Sequence, residues 1–206
     1  MDSSHISALL RPYLGGSELT AHQLGDISTY VDLLSKWNAK MNLTAVRDPE
    51  EMVRRHFGES LFAARHLVSQ DSEITAADVG SGAGFPGIPL KIFAPQLHVT
   101  LIEAHGKKAT FLREVIRSLR LTNIDVFQER AEKWGRTADL VVLRAVERFA
   151  SVLPIAASLV AAGGRLGLLI GQDQGPIAEQ LLPGSWQNSI PIPETAKRLL
   201  QVWSKT

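Results

Sequence analysis

The chain has 206 residues, a formal net charge of +1 and no cysteine; 45% of its residues are hydrophobic, 21% charged and 6% aromatic. That length fits one domain, or one domain with a modest extension, and holds a core that needs no disulfide or structural metal. The missing cysteines exclude disulfide frameworks, thiolate metal sites and cysteine nucleophiles, and the ordinary apolar content at near-zero net charge argues against disorder.

The first third reads as helix. Ile6, Leu9, Leu10 and Leu14 share one helical face, and Gly15-Gly16 ends that run. Leu24, Ile27, Val31 and Leu34 continue at three- and four-residue spacing, with Trp37 following as an anchor between this region and the rest. Asp48-Pro49-Glu50-Glu51 is a start signal: Asp48 can cap, Pro49 suits the first helical position, and Glu51 sits where a capping box places its acid. After about residue 70, short apolar runs alternate with helical patterns. Strands are predicted at 74–79, 99–103, 124–128, 140–143, 165–170 and 199–203, and helices at 90–93, 107–120 and 149–161. Such alternation implies βαβ crossovers and a largely parallel sheet covered on both faces. The division expected is a helical N-terminal extension over 1–66 and an α/β domain over 67–206. No signal-peptide pattern appears, and the most apolar stretch is broken by Pro154, Gly163, Gly164 and Arg165, so a cytoplasmic protein without membrane contact is expected.

The most informative segment runs from Ala77 to Gly87, after the first strand and before a helix. Gly80, Gly82 and Gly84 remove side chains where the backbone must turn and approach a ligand. Gly82, Gly84 and Gly87 also match the dinucleotide pattern, so an NAD-type oxidoreductase is the competing reading. Asp78 stands two residues before the first glycine, where a carboxylate repels a pyrophosphate but can satisfy a cationic ligand or its amines. Pro86 removes one N–H from the helix start. S-adenosylmethionine carries a sulfonium and no phosphate, and fits this loop better. Glu103 ends the second strand about twenty residues later, where an acid can accept hydrogen bonds from ribose hydroxyls.

Trp37-Asn38-Ala39-Lys40-Met41-Asn42-Leu43-Thr44, Arg47-Asp48-Pro49, Arg55-His56, the loop Gly80-Ser81-Gly82-Ala83-Gly84-Phe85-Pro86-Gly87-Ile88-Pro89-Leu90, Gly106-Lys107-Lys108 with Phe111-Leu112-Arg113, and Arg144-Ala145 together resemble the RsmG (GidB) family over roughly residues 20–203. The resemblance implies a class I S-adenosylmethionine-dependent methyltransferase with a Rossmann-like, mostly parallel seven-stranded sheet. Its implied reaction is methyl transfer to N7 of a guanine in the 530 loop of bacterial 16S rRNA. Cofactor contacts are implied at Gly80, Phe85, Ala131, Glu132 and Arg144, beside Asp78, Gly82 and Glu103 from the loop itself. Two departures stand out. The family's Leu-Asp-Ser after Arg-His is Phe57-Gly58-Glu59-Ser60 here, and a Leu-Lys-Gly closing strand five is Leu169-Ile170-Gly171.

Guanine N7 has a free lone pair at neutral pH, so such a reaction needs positioning rather than a general base. A donor to guanine O6 could balance developing charge; Arg144, His56 and Asn42 are the candidates, in that order. For 16S rRNA or the small subunit as partner, Lys107, Lys108, Arg113 and Arg55 are the expected phosphate contacts, since cations cluster there while the early helices are acidic. The six histidines show no metal-binding spacing, so no metal is expected. Two further alternatives are a non-catalytic RNA-binding module for ribosome assembly and a small-molecule methyltransferase.

Overall fold

A computed structural model describes residues 1–205. Helix α1 (Ser3–Leu14) starts where the Asp2 carboxylate accepts from the His5 N–H and ends on Gly15 at φ +54°. Helix α2 (Ala21–Met41) carries a reciprocal cap between Thr20 and Gln23, which local spacing did not reveal. Helix α3 (Pro49–Met52) is capped by Asp48, which accepts from the Glu51 N–H; the Glu51 carboxylate turns to Arg55 instead, so only half of the expected capping box forms. The chain then continues without leaving helical dihedrals through a π-helical turn (Val53–Gly58) into α4 (Glu59–Leu67).

The α/β part follows as β1 (Thr75–Val79), α5 (Gly87–Phe93), β2 (His98–Ile102), α6 (Gly106–Ser118), β3 (Ile124–Phe127), β4 (Ala138–Arg144), α7 (Phe149–Ser158), β5 (Val160–Gly171), α8 (Gly175–Leu181), β6 (Ser185–Trp186), β7 (Ile190–Pro191) and β8 (Arg198–Ser204). The sheet order is β3-β2-β1-β4-β5-β8-β6, with β7 also on β8; β1 to β5 run parallel and β8 antiparallel. The sheet therefore has eight strands where seven were expected. The two short ones, β6 and β7, pair with the same edge of β8 and share one strand position. Pro191 and Pro193 lack the N–H that continuous pairing needs, which confines this stretch to a broken edge.

Neighbouring strand residues point to opposite faces. Ala76, Val99, Leu101, Leu140 and Val142 bury one face under α1, α2, α4, α5 and α6 in a single core that spans both sides of position 66. Ala77, Val79, Val141, Leu143 and Leu168 bury the other face under α7 and α8. Trp37 packs on Phe111 at 5.5 Å between ring centroids, tying α2 to α6. The chain reverses direction across the sheet between β1 and β4. Open parallel sheets bind ligands at such a point, outside the carboxyl ends of the strands.

Candidate active site

One wall of that crevice is the turn after β1. Gly80, Gly82 and Gly84 have φ of +72°, +57° and +90°, a left-handed path that side chains oppose. Its amides are turned inward. The N–H groups of Gly80 and Ser81 donate to Ile102 O, those of Gly84 and Phe85 to Ser81 O, that of Gly82 to Glu103 Oε2 at 2.9 Å, and that of Gly87 to Asp78 Oδ2 at 3.0 Å. A pyrophosphate site needs free N–H groups here, and this loop has engaged them. A Cβ on Gly82 would meet only Gly80 O at 3.7 Å, so that residue faces open space that a ligand can fill.

The two acids differ. Asp78 is 1% exposed and faces the Gly87 N–H, with Oδ1 buried and unpartnered, so it does not present its carboxylate to the cavity as the sequence suggested. The strand end carries the side chain beneath the helix start, where it caps α5. Burial drives its carboxyl up to about 7 against the Gly87 and Ser81 hydrogen bonds, which favour the ionised form. Glu103 lines the cavity, accepting from Gly82 and His105 while each oxygen keeps lone-pair capacity for a hydroxyl.

The opposite wall centres on the π-helical turn, a geometry that recurs at functional sites. It turns His56 inward onto Phe85, with ring centroids 4.9 Å apart. Glu59, 1% exposed, takes Arg144 Nη2 and Arg198 Nε on the same oxygen, each at 2.9 Å. Arg144 Nη2 also reaches Arg55 O at 2.9 Å and His56 Nδ1 at 3.3 Å, leaving Nη1 outside these contacts. His56 Nε2 lies 2.8 Å from Thr44 Oγ1. Burial first, then the neighbouring guanidinium groups, lowers the His56 pKa to about 3, so the ring is neutral.

Between the walls lies a cavity of about 550 Å³, lined among others by Gly80, Gly82, Phe85, Glu103, His56 and Arg144. A slot of about 180 Å³ shares Gly80 and Glu103 with it and is walled by Ala131, Glu132, Ile102 and Val152. An apolar slot beside a hydroxyl acceptor, with no free amide nest, fits a nucleoside without phosphates. Asn42 is not brought to the site: it caps α2 at φ +49°, accepts from Arg47 and does not line the cavity. His56 has both ring nitrogens engaged, so it has no proton to offer a base. Lys108 lines the cavity, Lys107 is exposed nearby, Arg113 donates to Gln128 and Arg55 pairs with Glu51. Ile170 is buried in the core, and Gly171 lies opposite Arg198, the residue that shares Glu59.

Sequence reasoning missed Thr44, Arg198 and the role of Glu59. The acid at the departure from Leu-Asp-Ser was the available signal for Glu59. Arg130 and Arg148 at the cavity mouth were also missed. Among the described residues no cluster of His, Asp and Glu is arranged to hold a metal, and no helix is long and apolar enough to cross a membrane.

A family model described as rRNA small subunit methyltransferase G (GidB) matches residues 23–180. The chain is 44% identical over 164 residues to Ribosomal RNA small subunit methyltransferase G of Chloroflexus aggregans, covering 77% of this chain and 68% of the relative. It is 42% identical over 185 residues to the same-named protein of Xanthomonas campestris, covering 88% and 84%. In fold it is similar to magnesium protoporphyrin IX methyltransferase from Synechocystis PCC 6803 with bound SAM, at TM-score 0.64 and 14% identity, covering 88% of this chain and 97% of that one. The turn that has engaged most of its amides fits these matches, and they lead to one assignment: the chain belongs to the rRNA small subunit methyltransferase G (GidB) family of S-adenosylmethionine-dependent methyltransferases.

Proposed function

We propose that the protein methylates N7 of a guanine in the 530 loop of bacterial 16S rRNA. The observation that carries this reading is a cavity whose inner titratable groups, His56 and Glu103, are already engaged by the protein, its one further carboxylate, Glu147, being exposed to solvent. His56 is neutral with both nitrogens engaged, and Glu103 is tied to two backbone N–H groups. A nucleophile that must lose a proton is poorly served there, whereas N7 carries its lone pair already exposed. Bound S-adenosylmethionine supplies an electrophilic methyl group on sulfur. Glu103 would accept from ribose hydroxyls, Ala131 and Glu132 would flank the adenine, and Gly80, Gly82 and Phe85 would shape the floor. Arg144 Nη1 remains available to a ligand carboxylate or the base. Catalysis by these residues is alignment and exclusion of water.

Lys107 and Lys108, with Arg113 and Arg55 further out, would approach the RNA backbone, joined at the mouth by Arg130 and Arg148. The partner is then 16S rRNA or the small subunit carrying it. The inward-turned amides disfavour an NAD-type oxidoreductase. Mapping N7-methylguanine in small-subunit RNA from cells with and without the gene tests the reading. The modification should disappear from the 530 loop on deletion, and its persistence overturns the assignment. Loss of methyl transfer with retained RNA binding would point to an assembly module, and transfer without steep salt dependence to a small-molecule substrate.

A further inference from the structure

The hydrogen bonds on the π-turn wall have a fixed direction. Arg144 Nη2 gives its two protons to Glu59 Oε2 and Arg55 O, each at 2.9 Å, and lies 3.3 Å from His56 Nδ1; a guanidinium nitrogen cannot accept, so a proton on Nδ1 would find no acceptor there and Nδ1 is the unprotonated nitrogen. The neutral imidazole therefore carries its proton on Nε2 and donates it to Thr44 Oγ1 at 2.8 Å. The Val46 N–H donates to the same oxygen at 3.1 Å. A hydroxyl has two acceptor lone pairs and one proton. Both lone pairs of Thr44 are filled by the protein, its proton is not, and the residue lines the cavity.

We propose that Thr44 is a specificity-determining residue whose hydroxyl donates to O6 of the target guanine and cannot accept from the amino group of an adenine. This rests on the guanine-N7 reading above. Beside N7, guanine presents an O6 acceptor and adenine an N6 amino donor, so a hydroxyl locked as a donor separates the two purines at the edge where methylation occurs. Arg144 and His56 set the direction and Thr44 makes the contact. Rejection is strong because an amino group facing Thr44 would be left without an acceptor. N7 methylation leaves positive charge on the ring, so a donor at O6 does not balance developing charge as the sequence reading expected, and its effect is on the choice and seating of the base.

The test uses the full chain and small subunits reconstituted with 16S RNA bearing guanine, 2-aminopurine or adenine at the target position. 2-Aminopurine keeps N7 and lacks O6. Single-turnover transfer from labelled S-adenosylmethionine is compared for the wild type, Thr44→Val and Thr44→Ser. The wild type should prefer guanine over 2-aminopurine by about 10- to 100-fold, the weight of one buried hydrogen bond. Thr44→Val should lose about that factor on guanine alone, so the preference collapses, and Thr44→Ser should restore it. An equal melting-temperature rise with S-adenosylhomocysteine identifies a folded variant. A wild type indifferent to O6, or a folded Thr44→Val that keeps the preference, overturns the proposal. If the wild type makes no N7-methylguanine on the unmodified subunit, the reaction assignment itself fails and the proposal falls with it.

Discussion

The two walls of the crevice use carboxylates in opposite ways. On the glycine-turn wall Asp78 and Glu103 each hold backbone N–H groups, fixing the main chain that faces the ligand. On the π-turn wall one carboxylate, Glu59, holds two guanidiniums, Arg144 almost buried and Arg198 about a quarter exposed, so that wall carries one more positive charge than negative. One wall is rigid because its backbone is tied down. The other is ordered only while its single carboxylate holds the two cations. Disturbing each wall should therefore fail differently, the first in ligand affinity and the second in folding.

The largest effect expected is on the charged wall. Glu59→Gln leaves the almost buried Arg144, and the partly exposed Arg198, without their shared counter-charge, and should cost about 3 kcal/mol of unfolding free energy in a denaturant titration. Arg144→Ala should cost much less, because Glu59 keeps Arg198 as its partner. Equal losses from the two changes would show that the charge imbalance does not govern this wall.

On the glycine wall, Gly82→Asp should spare the fold and remove ligand binding. The new Cβ points into open space, and aspartate tolerates φ of +57° better than most residues. Its carboxylate would enter the cavity beside Glu103. Affinity for S-adenosylhomocysteine should fall by about 100-fold or more, near 3 kcal/mol, measured by calorimetry. Unchanged affinity would mean that the ligand does not cross this turn.

These walls were unequally legible in the sequence. The glycine wall lies in one contiguous stretch plus the acid closing the next strand, so the residues that local spacing singled out, Gly80, Gly82 and Glu103, line one cavity. The same spacing misassigned Asp78, because whether a strand-end carboxylate faces a ligand or the following helix depends on how that helix is seated. The π-turn wall gathers residues 44, 56, 59, 144 and 198 from separate elements, and no window of sequence contains them. A π-helical turn also shifts the helical phase by one residue, so the periodicity across 49–67 does not foretell that Glu59 turns inward beside His56. The parallel strands were readable from their continuous apolar runs. The last edge was not, since β6 and β7 are two residues each and interrupted beside prolines.

The buried acid on the glycine wall makes a smaller, pH-dependent prediction. Asp78 has its pKa raised from 3.8 to about 7, so its contribution to stability is complete below about pH 4 and is lost as pH rises toward 7. His56 is lowered from 6.5 to about 3, so its contribution is present above about pH 6.5 and lost as pH falls toward 3. The two oppose each other between about pH 4 and 6.5. Asp78→Asn removes the first term alone while keeping an oxygen for the Gly87 N–H. The rise from 3.8 to about 7 bounds the gain near 4 kcal/mol. The new amide nitrogen inherits the unpartnered position of Oδ1, which reduces the gain to about 1–2 kcal/mol near pH 8. The advantage should vanish near about pH 6 and become a deficit of about 2–3 kcal/mol by about pH 4, and the variant should lose stability more steeply than the wild type on acidification below pH 6.5. A pH-independent difference would show that Asp78 does not titrate between the two states.

The smallest effect concerns the rim where the two walls open to solvent. Lys108 lines the cavity in the first turn of α6, where the helix dipole disfavours a cation, so its placement there is not explained by helix stability. Arg113, one face further along the same helix, is exposed and donates to Gln128. If the rim meets a phosphate backbone, Lys108→Ala should weaken RNA binding about two- to fivefold at moderate salt and reduce the slope of log K against log salt by about 0.7–0.9, the share of one phosphate contact. Arg113→Ala should change the slope less, because its guanidinium already has a partner. Lys108→Ala should also raise helix stability slightly, by a few tenths of a kcal/mol, since it relieves the dipole. A variant that binds RNA as before yet melts higher would assign Lys108 to neither wall, and would move the RNA contact toward Arg130 and Arg148 on the other side of the mouth.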